Sequence, residues 1–170
     1  MRKIYLASSW RNPLQSMAVK FLRAYGHEVY DFKNPPNGLK NGFRWSDIDP
    51  EWRTWDDVEY RMALKHPLAQ TGFMSDFEGM KWADTGILLL PCGRSAHLEL
   101  GWMAGAGKKT IIWTRDGEEP ELMNLLADVI CVSEGEILTA LRLDSRLRGR
   151  DISLLPSCPA GVNDEKEEIS

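Results

Sequence analysis

Apolar positions along the chain alternate between two periods, and the alternation predicts a strand–helix–strand order. Lys3 to Ala7 is a short apolar run that opens into Ser8 and Ser9, a strand with a polar mouth. Leu14, Met17, Ala18, Phe21 and Leu22 then recur at helical spacing; Pro13 suits a first turn, Ser9 or Asn12 a cap, and Gly26 a stop. His27 to Phe32 reads as a second strand, which makes a right-handed βαβ unit. Between Lys33 and Arg53 the pattern breaks at Pro35, Pro36, Gly38, Gly42 and Pro50, so a long loop of lid or binding type is expected. Thr54 and Asp57 look like the start of a helix toward Leu64, and a third helix is expected over Met74 to Ala83. Thr85 to Pro91 is apolar at nearly every position, as a central parallel strand should be. A helix over Ser95 to Ala106, a strand over Thr110 to Thr114 and a strand over Asp128 to Val132 follow. Ser133 and Glu136 form a capping box for a last helix through Leu143. The expected architecture is α/β: one doubly wound, five-stranded parallel sheet of flavodoxin or Rossmann type with helices on both faces.

Composition narrows the classes of function. The chain has 170 residues, 43% hydrophobic and 27% charged, which suits one soluble domain. That domain is expected over residues 1–148, with a flexible acidic tail over 149–170. A net charge of -4 argues against a nucleic-acid polymer or an anionic membrane surface as partner. The longest apolar run, Ile87 to Leu90, is far short of the ~20 residues that cross a bilayer. The start, MRKIYLASSW, enters a strand without a signal-peptide core. Cys92, Cys131 and Cys158 show neither metal spacing nor a disulfide framework, so a reducing cytoplasm is the expected location. His27, His66 and His97 share no metal spacing either, and no metal site is expected.

Two nucleotide signatures fail. GWMAGAGKKT has its glycines at the end of a helix, whereas a phosphate cradle opens one, and Trp102 stands where the loop pattern needs glycine. After the first strand stands Ala7-Ser8-Ser9-Trp10 in place of a dinucleotide fingerprint. No cofactor is therefore expected. The informative stretch is instead 76–114, where Glu99 lies in the first turns of a helix just past the carboxyl end of a buried strand. That edge is where open parallel sheets bind small molecules. Glu99 is there either a helix-start charge, with a contribution of roughly 0.3–1 kcal/mol, or a catalytic group. On the residues alone Asp76 reads as a helix cap or first-turn acid, and Tyr5 as a core residue with a satisfied hydroxyl.

Four patterns occur in order: Tyr5-Leu6-Ala7-Ser8-Ser9-Trp10; Asp76 at a helix start ten residues before Gly86; Ala83-Asp84-Thr85-Gly86; and Leu98-Glu99-Leu100-Gly101 before Gly107-Lys108-Lys109-Thr110. This order resembles the nucleoside 2-deoxyribosyltransferase family and the related nucleoside 5'-monophosphate N-glycosidases, over most of residues 3 to 145. The resemblance implies that Glu99 is the nucleophile on the anomeric carbon of a pentose, with Tyr5 orienting it. It further implies that Asp76 contacts the base or sugar, that Trp10 lies near the base, and that the chain forms a homo-oligomer. A carboxylate suits that task because capturing an oxocarbenium-like centre divides one hard displacement into two.

One departure bears on the substrate. Where the transferases carry an aspartate and the monophosphate hydrolases a serine, this chain has Gly93, followed by Arg94 and Ser95. Arg94 and Ser95 at a helix start, with Ser8, Ser9 and Arg11 at the end of the first strand, would suit a phosphate. The substrate expected is a nucleoside or nucleotide, cleaved by water or transferred to a second base. A binding domain without turnover is the alternative of a different class. Phe43, Trp45, Trp52 and Trp55 in the long loop suit either a stacking lid or a small satellite core, and His97 is expected to point away from Glu99.

Overall fold

A computed structural model of the chain describes residues 1–36, 42–115, 117 and 119–143. Five strands, β1 (Lys3–Ala7), β2 (Glu28–Tyr30), β3 (Thr85–Leu89), β4 (Lys109–Trp113) and β5 (Val129–Cys131), form one sheet in the order β2-β1-β3-β4-β5. All four pairings are parallel. Five helices connect or flank them: α1 (Gln15–Ala24), α2 (Asp57–Ala63), α3 (Pro67–Trp82), α4 (Arg94–Gly105) and α5 (Glu134–Arg142). The order reverses direction between β1 and β3. At that switch point the connections leave on opposite sides and a crevice opens at the strands' carboxyl ends.

Strand alternation divides the core in two. Ile4 and Leu6 of β1 join Ile87, Leu89, Ile111 and Trp113 beneath Ala18, Val19 and Leu22 of α1 and Ile137 and Leu141 of α5. Tyr5 and Ala7 point to the opposite face, with Tyr30, Leu88 and Ile112, beneath Met80 of α3 and Leu100 and Met103 of α4. All five residues of β3 are buried, as a strand covered on both faces requires. Each large apolar side chain buried there contributes on the order of 1.5–3 kcal/mol.

Several boundaries differ from expectation for local reasons. Helix α3 begins at Pro67, not Met74, because His66 Nδ1 accepts from Leu68 N (3.2 Å) and Pro67 suits the first turn. Asp76 is therefore an interior residue of a 16-residue helix, and its reading as a cap is corrected. Asp56, not Thr54, caps α2: its Oδ1 accepts from Val58 N and Glu59 N, while Glu59 Oε2 accepts from Asp56 N. Asn12 rather than Ser9 prepares α1, its Oδ1 accepting from Leu14 N at 2.9 Å, and Pro13 lies before the helix. At α5, Ser133 Oγ accepts from Glu136 N, but Glu136 reaches Val132 N instead of closing the box on Ser133. Gly26 (φ 82°) and Gly107 (φ 76°) carry the left-handed turns after α1 and α4. The expected tail, 149–170, lies outside the described residues.

The aromatic residues of the long loop pack mainly on one another. Phe43 and Trp45 are 4.8 Å apart, and Trp45 also meets Trp55 at 5.7 Å and Tyr60 of α2 at 5.9 Å. Phe43 lies so close to Gly72 that a Cβ there would come within 2.7 Å of it. Of the two readings of this loop, the packing favours the satellite core. Trp52 stands apart, with the Arg53 guanidinium 4.7 Å from its ring.

Candidate active site

The crevice at the switch point collects groups from four elements. β1 supplies Tyr5 and β2 supplies Tyr30; these are register partners, so both rings project to the same face of the sheet. They stack at 5.3 Å between centroids with 15° between planes. Helix α3 brings Asp76 over them, and α4 brings Glu99 from the second turn after its start at Arg94. Burial lifts Glu99 to a pKa of about 7; the neighbouring Asp76 charge pushes in the same direction, and Tyr5 opposes it. Burial likewise lifts Asp76 to about 6, against a hydrogen bond from the Tyr30 hydroxyl (3.1 Å to Oδ1). Tyr5 itself is pushed well above its ordinary range, by burial first and then by the two carboxylates.

The Tyr5 hydroxyl is buried and has no hydrogen-bond partner of ordinary geometry among the described residues. It nevertheless stands near enough to Glu99 to favour that carboxylate. Strict donor–acceptor geometry leaves the hydroxyl unpaired, so the two groups are in proximity rather than bonded. A buried, unpaired donor beside a desolvated carboxylate is costly for folding alone, and such groups cluster where chemistry is done. The three residues expected to be catalytic thus come together.

The expected binding residues divide into engaged and open groups. Ser8 Oγ donates to Leu89 O (2.9 Å) and accepts from Asn12 Nδ2 (3.0 Å), which also donates to Pro91 O (3.1 Å). These bonds lock the end of β1 to the end of β3. Ser9 Oγ accepts from Arg11 N (3.1 Å) within the turn. Trp10 is 40% exposed, meets Phe32 edge to face, and has Lys33 and Arg44 within 6 Å of its ring. Gly93 is the N-cap of α4 and supplies no side chain to the first N–H groups; Arg94 and Ser95 follow, both exposed. Arg11, Lys33, Arg44 and Arg94 make no ion pair among the described residues. His97 turns to Gly93 O (3.1 Å) and Cys92, away from the carboxylates as expected.

Tyr30, Ser75 and Gly79 escaped the sequence reading. Tyr30 sits in an alternating run whose register against β1 no local pattern reveals, and Ser75 and Gly79 look like ordinary helix residues. A cavity of about 930 Å³ abuts this corner between β2 and α3. Tyr30 and Ser75 are in its lining, but Glu99 and Asp76 are not. This cavity therefore does not mark the candidate centre; the convergence of titratable groups does. Among the described residues no group of three His, Cys, Asp or Glu could hold a metal ion, and no helix is long and apolar enough to cross a membrane.

This doubly wound sheet has counterparts among solved structures. A 2-deoxyribosyltransferase from the psychrotolerant bacterium Bacillus psychrosaccharolyticus superposes with a TM-score of 0.52 at 22% identity, over 79% of this chain and 88% of that one. The Clostridium botulinum CMP N-glycosidase BcmB matches with a TM-score of 0.44 at 20% identity, over 82% of this chain and 98% of that one. A conserved protein from Enterococcus faecalis V583 gives 0.48 at 15% identity, over 83% and 97%. No protein-family model and no curated protein matches the chain. The first of these structures shows that the chain has the fold of a 2-deoxyribosyltransferase, so the expected fold holds, and the reaction is argued from the residues.

Proposed function

We propose that this chain is a cytoplasmic enzyme that breaks the N-glycosidic bond of a nucleoside or nucleotide, with Glu99 as nucleophile. One observation carries the reading: two carboxyls with pKa values raised by burial and a buried tyrosine hydroxyl, without a hydrogen-bond partner of ordinary geometry among the described residues, converge at the sheet's switch point. Ionised Glu99 attacks the anomeric carbon as the bond to the base nitrogen breaks, and the departing pair stays on that nitrogen. The two carboxyls titrate as a coupled pair, and the reactive form is the arrangement in which Glu99 is ionised and Asp76 holds the proton that passes to the departing base. Water or a second base then attacks the same carbon and returns Glu99 to its carboxylate. Tyr5 donates toward Glu99 and fixes which oxygen is presented.

A nucleoside 5'-monophosphate is the substrate favoured by the charges. Arg11, Lys33, Arg44 and Arg94 carry no ion pair among the described residues, although the chain as a whole is acidic. The open N-terminus of α4 adds backbone donors at the same edge, which suits an anion. The reading includes a homo-oligomer, because Phe73, Leu98 and Trp102 leave α3 and α4 with an exposed apolar flank.

The test is chromatography of free base released from ribo- and deoxynucleosides and their 5'-monophosphates, with and without a second base. Release from monophosphates without an acceptor is the expected result. Base exchange on nucleosides would make the protein a transferase. No release from any of them would overturn the reading in favour of a binding domain.

A further inference from the structure

Tyr30 is 7% exposed and has no hydroxyl proton left for a ligand. Its single proton goes to Asp76 Oδ1 (3.1 Å), and its oxygen lies 2.9 Å from Ser75 Oγ. The three groups form a chain in which Ser75 donates to Tyr30 and Tyr30 donates to Asp76. The ring is held as firmly as the hydroxyl. Tyr5 stacks on it, and Gly79, one turn beyond Ser75 on α3, lets the helix approach: a Cβ at 79 would meet the ring at 2.7 Å. Asp76 Oδ2 carries no hydrogen bond among the described residues, so one oxygen is anchored and the other stays open.

We infer that Tyr30 is a positioning residue: its hydroxyl anchors one oxygen of Asp76 while its ring holds Tyr5, so that one side chain sets the relative placement of both groups toward Glu99. The inference rests on the reading above for its kinetic consequences, but the placement itself does not. A phenylalanine would fill the same space in the core, so packing alone does not account for the hydroxyl. The groups that face Asp76 are Tyr5 from β1, Tyr30 from β2 and Glu99 from α4. Of these only Tyr30 bonds it and favours its ionised form, against burial.

Tyr30→Phe keeps the stack and the contact with Gly79 while removing the bond. The measurement is the titration of the Asp76 carboxyl carbon by NMR in wild type and Tyr30→Phe, assigned with Asp76→Asn. It is paired with kcat, KM and the pH profile of base release. The expected result is an upward shift of the Asp76 titration by about one unit. With it should come a fall of about ten-fold in kcat, a KM within two-fold, and a displaced pH profile. An unmoved Asp76 titration overturns the inference, whatever happens to the rate. A fall in kcat without displacement of the pH profile overturns it as well, since a merely loosened core would do that. If wild type releases no base, the functional reading fails, and the titration still decides the role of Tyr30.

Discussion

Asp31 and Asp76 are both withdrawn from solvent on neighbouring elements, yet they are treated in opposite ways. Asp31, 7% exposed, accepts from Gln15 Nε2 (2.8 Å), Lys33 N (3.1 Å) and Asn34 Nδ2 (2.9 Å). Its bonds end β2 and tie it to α1. Among the described residues Asp76 has one hydrogen bond and Glu99 none of ordinary geometry, and the two repel each other. A carboxylate whose bonds are complete serves the fold; a pair left incomplete costs stability and is available for a ligand. The contrast separates structural acids from candidate catalytic ones without reference to any relative.

The largest break in that contrast should come from Glu99→Gln. Turnover should fall by at least 10³-fold, because an amide cannot form the covalent intermediate. Asp31 carries no such role. Asp76→Asn should follow, with a loss of about 10²-fold or more in kcat for the poorest leaving bases, the range of one general acid. Base release under single-turnover conditions measures both. An effect of Asp76→Asn on KM alone would reduce Asp76 to a binding group.

Stability should move in the reverse order. Asp31→Ala leaves Gln15 and Asn34 without their acceptor and should cost about 2–3 kcal/mol in denaturant unfolding. Glu99→Gln should stabilise the protein at pH 8. Folding raises the pKa of Glu99 from its ordinary 4.5 to about 7 and that of Asp76 from 3.8 to about 6. Between about pH 4 and 7 the native state therefore holds protons that the unfolded chain has lost, so this contribution is full at low pH and is lost as pH rises through that window. For Glu99 the loss is on the order of 3 kcal/mol above pH 7. Stability of Glu99→Gln should depend less on pH than that of wild type. Parallel curves for the two proteins would contradict the burial of the ionised group.

The difference between these acids also explains what the sequence could disclose. Lys3 to Ala7, Thr85 to Pro91 and the helix carrying Glu99 were legible because local period and strand burial coincide there. Asp76 was legible as a candidate only through resemblance, and its place in the helix was misjudged. His66-Pro67 is a strong helix start, but the apolar period across Thr71, Ser75 and Glu78 is weak. Tyr30 could not be read at all. Its role depends on the Tyr5–Tyr30 register and on Gly79 admitting its ring, two long-range facts with no local signature. Asp31 fell inside the expected second strand, His27 to Phe32, and nothing near it in sequence announced Gln15 as its partner.

The smallest effect concerns cations, where the same contrast recurs. Lys81 is paired with Glu78 at 2.5 Å one turn away on α3, a surface contact with a contribution of a few tenths of a kcal/mol. Arg94 has no such partner among the described residues; it stands at the first position of α4, beyond an N-cap glycine that leaves the helix's own N–H groups without a side-chain cap. If that corner receives a phosphate, Arg94→Ala should raise KM for a 5'-monophosphate by roughly ten-fold, the worth of one charge-assisted hydrogen bond. KM for the unphosphorylated nucleoside should stay within two-fold, since it has nothing for the guanidinium to hold. Lys81→Ala should change neither. Equal changes for both substrates would mean that Arg94 supports the helix rather than the ligand, and the preference for a nucleotide would then fall while the assignment of Glu99 stood.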